Sequence, residues 1–141
     1  MLASQEDVEA AIKDPGSVIL DVRSDGEYRG ERFWPSGATA NTGKAGHIPS
    51  AINVPIDLTR DVAGAIKGED ELRDLYAKAG VTPDQRVVIY CTIGNRASLA
   101  WFILKDLLEH PNVAVYQGSY VEWGKLPDAP VDSGEAVTPT R

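Results

Sequence analysis

The sequence predicts an α/β fold built on a mostly parallel central sheet. Three observations carry that prediction. Short apolar runs alternate along the chain with segments of helical periodicity. Two of these runs, Ser17-Val18-Ile19-Leu20-Asp21-Val22 and Arg86-Val87-Val88-Ile89-Tyr90, are apolar at nearly every position, as strands covered on both faces are. The second run leads directly through a glycine-containing loop into the best helical pattern of the chain.

The elements follow in order. Ser4-Gln5-Glu6-Asp7 opens a helix: Ser4 can cap it, and Asp7 stands three residues on. Val8, Ala11 and Ile12 form its apolar face, and Asp14-Pro15-Gly16 stops it. After the strand at 17–22, Ser24-Asp25-Gly26-Glu27 resembles a second capping box and starts a short helix through Tyr28. Residues 30–47 read as a long loop, and such loops in compact domains are functional or disordered. Ala51-Ile52-Asn53-Val54 is a short strand closed by Pro55. Residues 57–70 are ambiguous, with room for a helical turn. Residues 71–79 form a helix bearing Leu72, Leu75 and Tyr76, stopped by Gly80. After the strand at 86–90, a helix over about 96–109 carries Ala97, Ala100, Trp101, Leu104, Leu107 and Leu108 inward. Pro111-Asn112 breaks it, Val113-Ala114-Val115-Tyr116 is a further strand, and Ser119 begins a last short helix carrying Trp123. From Asp128 the chain is polar and aperiodic. The expected division is a domain over 1–130 and a disordered tail over 131–141.

Composition bounds the chemistry. A chain of 141 residues, 43% hydrophobic, suffices for one domain with its own core. A single cysteine excludes an internal disulfide, and two histidines far apart in sequence leave no metal-ligand spacing and no Cys-His dyad. The formal charge of -7 argues against nucleic acid, which needs cations to neutralise phosphates. No apolar run approaches the roughly 18 residues of a membrane span. With no basic-then-apolar start either, the expected location is the cytoplasm.

The candidate site is the turn after the strand at 86–90. Active sites of parallel sheets lie at the carboxyl ends of the strands, and Cys91 stands there. Thiolate is the reactive form of cysteine and needs positive potential. A loop curling onto a helix start points amides inward, and the helix adds its dipole. Gly94 allows the curl, and Arg96 adds a formal charge. A lone cysteine at a strand end is otherwise often a small buried hydrophobe. Its place before Gly94 and Arg96 favours the reactive reading.

The segment Cys91-Thr92-Ile93-Gly94-Asn95-Arg96 resembles the active-site loop of the rhodanese family, in its Cys-x-x-Gly-x-Arg form. Other parts of the family pattern fall in order. Leu20-Asp21-Val22-Arg23, with Glu27-Tyr28 after it, resembles the Asp-x-Arg strand end. Gly46-His47-Ile48-Pro49-Ser50-Ala51 resembles the Gly-His-Ile segment, and Gly118-Ser119-Tyr120-Val121-Glu122-Trp123 resembles the terminal Gly-Ser-aromatic-x-Glu-Trp segment. The long loop and the Glu-Trp ending look most like the catalytic C-terminal domain of two-domain thiosulfate sulfurtransferases. An excised domain and a natural single-domain member both fit.

The resemblance implies a single rhodanese-like domain, its sheet flanked by helices on both faces. It implies a sulfurtransferase with no cofactor and no metal. Cys91 would take a sulfane sulfur from a small-molecule donor and pass the persulfide sulfur to a thiophilic acceptor such as cyanide or a thiol. Thr92, Ile93, Gly94, Asn95 and Arg96 would hold the persulfide or donor, with Arg23 as a further donor contact. A second rhodanese domain or a sulfur-acceptor protein is a further conceivable partner. His47 is expected to be structural and Trp123 to belong to the core, while Trp34 and Lys44 stay open between pocket and framework.

The chain departs from the pattern in one respect. Thiosulfate-using loops of the family place basic residues directly after the cysteine, where this chain has Thr92 and Ile93. That points toward a persulfide or thiol-type partner of low charge. Two other readings compete. A non-enzymatic sulfur-relay or regulatory module would keep the same persulfide. A phosphatase or arsenate reductase of the related Cys-x5-Arg type would need a loop one residue longer than the Cys-x4-Arg found here.

Overall fold

The nearly continuous apolar runs are explained by a sheet whose two faces are both covered. The computed structural model describes residues 2–134. Five strands, β1 (Leu2–Ala3), β2 (Ser17–Asp21), β3 (Ile52–Asn53), β4 (Arg86–Tyr90) and β5 (Val113–Tyr116), form one sheet in the order β1-β5-β4-β2-β3. Every pairing is parallel. The helices are α1 (Gln5–Lys13), α2 (Asp25–Arg29), α3 (Glu69–Ala79), α4 (Asn95–Phe102) and α5 (Ser119–Trp123), with a 3-10 turn at Ile56–Thr59.

Side chains of successive strand residues point to opposite faces, so each central strand feeds two cores. Val18, Leu20, Val87, Ile89 and Val113 pack with Leu72 and Tyr76 of α3 and Ala97 and Ala100 of α4. Ile19, Val88, Tyr90, Ala114 and Tyr116 pack on the other face with Val8 and Ala11 of α1, Tyr28 of α2 and Trp123 of α5. The fold is therefore the expected α/β sandwich, its sheet wholly parallel among the described residues.

Both expected capping boxes form. Ser4 Oγ accepts from the Asp7 amide while Asp7 accepts from the Ser4 amide. Ser24 and Glu27 do the same at α2. Each such cap is worth about 1 kcal/mol.

Several details differ from expectation. β1 went unread because two residues carry no periodicity; it pairs with β5 through Leu2↔Val115 and Ala3↔Tyr116. The helix expected over 96–109 is α-helical only to Phe102 and continues as a π-helical turn over Ile103–Leu107. The wider turn lets the Leu108 amide reach the Ile103 carbonyl, and the chain then reverses at Glu109 with φ 58°.

The expected tail is tied down along its first part. Trp123 Nε1 donates to the Pro130 carbonyl, His47 and Asp132 exchange backbone hydrogen bonds, and the Gly134 amide donates to Arg29. Pairing with the 46–47 segment, not hydrophobic periodicity, orders 131–134, so composition gave no sign of it. The remainder of the expected tail, 135–141, lies outside the described residues.

Gly46 is required at this junction. Its φ is +133°, and a Cβ there would collide with the Asp132 carbonyl. Gly46→Ala is expected to lower stability by about 2 kcal/mol through backbone strain and the displaced pairing. Urea unfolding measures this, and an unchanged midpoint would mean that 46 and 132 do not meet as described.

Candidate active site

Parallel strands all end on one edge of a sheet, and the register decides which strand ends meet there. β2 and β4 pair in full register from Ser17↔Arg86 to Asp21↔Tyr90. The segments leaving them, 22–29 and 91–96, therefore rise side by side at the carboxyl edge. Cys91 is the first residue beyond β4.

The 91–96 loop closes around the sulfur. Cys91 Sγ accepts the Gly94 amide at 2.8 Å. Gly94 has φ +114°, a conformation nearly closed to other residues, and nothing occupies the space where its Cβ would stand. Its backbone freedom, not its size, is what the loop uses. The amides of Ile93, Asn95 and Arg96 make no hydrogen bond to another backbone group among the described residues. They belong to the start of α4, where free amides and the helix dipole favour an anion. The loop is braced from behind, since the Tyr120 and Val121 amides of α5 donate to the Cys91 and Thr92 carbonyls at 2.8 and 2.9 Å.

A pocket of about 570 Å³ opens over Cys91. One wall is the 91–96 loop, with Thr92, Ile93, Asn95 and Arg96. The other is the long 30–47 segment, through Trp34, Pro35, Ser36, Ala38, Ala40 and Asn41. Cys91 is only 1% exposed and forms the pocket floor, so it is recessed but not sealed in the interior.

The second wall is irregular backbone pinned at several points. Trp34 Nε1 donates to the Ala40 carbonyl at 2.7 Å. The Lys44 amide donates to the Gly124 carbonyl at 2.8 Å, and Tyr120 Oη donates to the Lys44 carbonyl at 2.7 Å. Trp34 is thus a pocket residue. Lys44 is not, because its ammonium is bound to the Ala129 carbonyl. His47 stacks on Tyr28 with centroids 3.7 Å apart and bonds the Tyr28 carbonyl through Nδ1, a framework role as expected. Trp123 is fully buried in the core.

Two expectations about charge change. Arg23 does not reach the pocket. It is fully buried, its Nη2 bonded to Asp21 at 2.7 Å and to the Gly46 carbonyl at 2.6 Å, with its guanidinium 4.2 Å from the Tyr120 ring centroid. The Asp-x-Arg spacing folds the arginine back onto its own aspartate, so the proposed donor contact is replaced by a clasp between strand end and pocket wall.

Arg96 lines the pocket but does not present a free charge there. Its Nη1 and Nη2 donate to Glu27 Oε1 and Oε2 at 2.8 and 3.0 Å. Nη2 also donates to Thr92 Oγ1 at 2.7 Å, and Thr92 Oγ1 donates to Glu27 Oε2 at 2.6 Å. In the sequence Glu27 stands out as a capping residue and as part of the Glu27-Tyr28 pair of the family pattern, neither of which names a partner for it. The strand register is what brings it to Arg96.

Glu27 is fully buried, and burial alone would raise its carboxyl pKa. Hydrogen bonds from Arg96 and Thr92, the Arg96 charge and a bond from Ser24 outweigh that and hold it at about 2, against an ordinary 4.5. Among the described residues no group of three or more His, Cys, Asp or Glu is placed to hold a metal ion. No helix among them is long and apolar enough to cross a membrane.

The family model of the rhodanese-like domain matches residues 4–126. The chain belongs to the rhodanese-like domain family. Its relatives include a protein of Haloferax volcanii provisionally named thiosulfate sulfurtransferase, 46% identical over 132 residues that make up 94% of this chain and 46% of that one. The sulfur carrier protein TtuD of Thermus thermophilus is 42% identical over 125 residues, 88% of this chain and 44% of that protein. The rhodanese-like domain thus spans less than half the length of these curated relatives. Among solved structures, EanB in complex with ergothioneine superposes with a TM-score of 0.83 at 31% identity, over 94% of this chain and 32% of that one. A further EanB structure holds a cysteine persulfide together with ergothioneine, with a TM-score of 0.83 at 30% identity, over 94% of this chain and 32% of that one.

Two outcomes follow for this domain. The Glu27 carboxyl has a folded pKa below its unfolded one, so the unfolded chain binds more protons between the two values. The stability it contributes, on the order of 3 kcal/mol, is present above about pH 4.5 and lost as pH falls toward 2. Urea unfolding across that window measures the loss, and Glu27→Gln is expected to flatten it. Arg96→Ala leaves a buried carboxylate without its cation and is expected to cost about 3 kcal/mol at neutral pH. A variant as stable as the parent would show that the pair does not carry the loop.

Proposed function

We propose that this rhodanese-like domain is a sulfurtransferase working through a persulfide on Cys91. The thiolate attacks the sulfane sulfur of a donor such as thiosulfate or an organic persulfide. The new Sγ–S bond forms as the donor's S–S bond breaks, and the bonding pair leaves with the donor remnant, sulfite in the case of thiosulfate. A thiophilic acceptor, cyanide or a thiol, then attacks the outer sulfur and returns the Cys91 thiolate. Written with thiolates or cyanide, neither half needs a proton, metal or cofactor for its balance.

The observation that carries this reading is Cys91 Sγ on the pocket floor, hydrogen-bonded by the Gly94 amide at the start of α4. An S–S bond of about 2 Å would set the outer sulfur further into the pocket. There the amides of Ile93, Asn95 and Arg96, which bond no other backbone group among the described residues, would be loop donors for its negative charge. Thr92 braces the loop through Glu27. The persulfide seen in EanB at 30% identity supports the same chemistry on this fold.

A second reading, favoured by the 42% identity to a sulfur carrier protein, is a relay in which the acceptor is a protein thiol. Both share the first half-reaction and diverge at the second.

Intact mass spectrometry after incubation with a sulfur donor is expected to show one added sulfur on the parent and none on Cys91→Ala. Cyanide is expected to remove it with formation of thiocyanate. A parent chain that gains no sulfur from any donor would refute the reading. A persulfide that resists cyanide but passes to a protein thiol would select the relay.

A further inference from the structure

We infer that Glu27 sets the charge of the donor this site accepts, as a positioning residue acting through Arg96, and that the preferred donor is an organosulfur monoanion. The inference rests on the sulfurtransferase reading above. Among the described residues, Arg96 is the one ionisable side chain besides Cys91 that lines the pocket. Both its terminal nitrogens are engaged by the Glu27 carboxylate. Glu27 is itself fixed by Thr92 and by the Ser24 amide and hydroxyl, at 2.6, 3.2 and 2.9 Å, so it cannot turn away and release the guanidinium.

A donor entering the pocket meets a cancelled cation, the apolar surfaces of Trp34, Pro35, Ala38 and Ile93, and the loop amides. Such surroundings strip water from the donor without supplying a full positive charge. The cost of stripping water from an ion rises with the square of its charge, so a dianion is penalised far more than a monoanion. The pocket volume of about 570 Å³ also leaves room for an organic group beside the reacting sulfur. The class that fits is a thiosulfonate, R–SO2–S⁻, or an organic persulfide, R–S–S⁻. With a thiosulfonate, Cys91 Sγ bonds the terminal sulfur, the S–S bond of the donor breaks, and the electron pair departs on the sulfinate R–SO2⁻.

The test compares thiosulfate, a dianion, with benzenethiosulfonate, a monoanion, in the parent, in Glu27→Gln and in the double variant Glu27→Gln/Arg96→Gln. Freeing the Arg96 charge is expected to lower KM for thiosulfate about tenfold and for benzenethiosulfonate about threefold, the change carried by KM and not kcat. The double variant, again without net charge in the pair, is expected to restore both KM values to near those of the parent. An equal shift for both donors, or a double variant that behaves like the single one, would overturn the assignment and leave Glu27 a purely structural residue.

A second measurement uses the parent alone. On a chain of formal charge -7 with no unpaired cation among the described residues lining the pocket, added salt is expected to speed thiosulfate attack on Cys91 or leave it unchanged. A rate that falls with salt would reveal an unpaired cation and reject the inference. If neither donor leaves sulfur on Cys91 of the parent, sulfur transfer itself fails and the inference falls with it.

Discussion

The site depends on one buried carboxylate. Glu27 receives five donors: the Ser24 amide and hydroxyl, the Thr92 hydroxyl and two nitrogens of Arg96. A buried carboxylate with fewer partners would be protonated or expelled, because desolvation of an isolated charge costs several kcal/mol. Full satisfaction makes it a joint. Through it the start of α2 is locked to both ends of the 91–96 loop, Thr92 just after the cysteine and Arg96 at the start of α4. The loop curvature that aims Gly94 at the sulfur is held by this joint on one side and by α5 on the other.

A second buried pair aligns the opposite wall. Asp21 accepts from Arg23 and from Tyr90 Oη at 2.6 Å, and Tyr90 Oη in turn accepts from the Ile48 amide at 3.1 Å. Arg23 reaches the Gly46 carbonyl and lies over Tyr120, whose hydroxyl holds the Lys44 carbonyl. The ends of β2 and β4, the exit of the long loop and the last helix are thereby fastened at one place. The pocket wall at 34–41 is irregular chain, yet its exit at 44–47 is anchored to the most buried polar cluster of the domain. Two ion pairs, Asp21–Arg23 fully buried and Glu27–Arg96 at the pocket wall, thus set the spacing of the two walls.

Local chemistry made much of this legible in the sequence. The strands at 17–21, 86–90 and 113–116 were readable because burial on both faces demands continuous apolar runs, and the two capping boxes because their spacing is local. The Cys91 loop was readable because strand, glycine and helix start are contiguous. What was hidden depends on pairing between distant segments. The role of Glu27 follows from the β2–β4 register, which places it beside Arg96 at a separation of 69 residues. Arg23 was misread for a related reason: its charge suits an anion, but its partner lies two residues back along its own strand end. The edge strand β1 and the 131–132 pairing are too short to carry a pattern of their own.

These pairings change which force holds the sulfur. A reading from sequence counts Arg96 as a full positive charge beside Cys91. In the folded domain Glu27 offsets most of that charge, so the favourable field at Sγ comes mainly from the Gly94 amide, the free amides at the start of α4 and the helix dipole, with a smaller part from Arg96. Amide dipoles act over short distances and are fixed in direction. They discriminate by position, and they favour a small anion seated within the loop over a large one at its mouth. A single sulfur atom bearing one negative charge meets that description both as thiolate and as the outer atom of a persulfide. A free arginine would instead attract any anion that could enter, including the oxyanions a donor leaves behind. On the proposed reading, cancelling the cation would let the domain stabilise a sulfur intermediate without retaining the charged remnant of the donor, as a site that binds, transfers and releases sulfur requires.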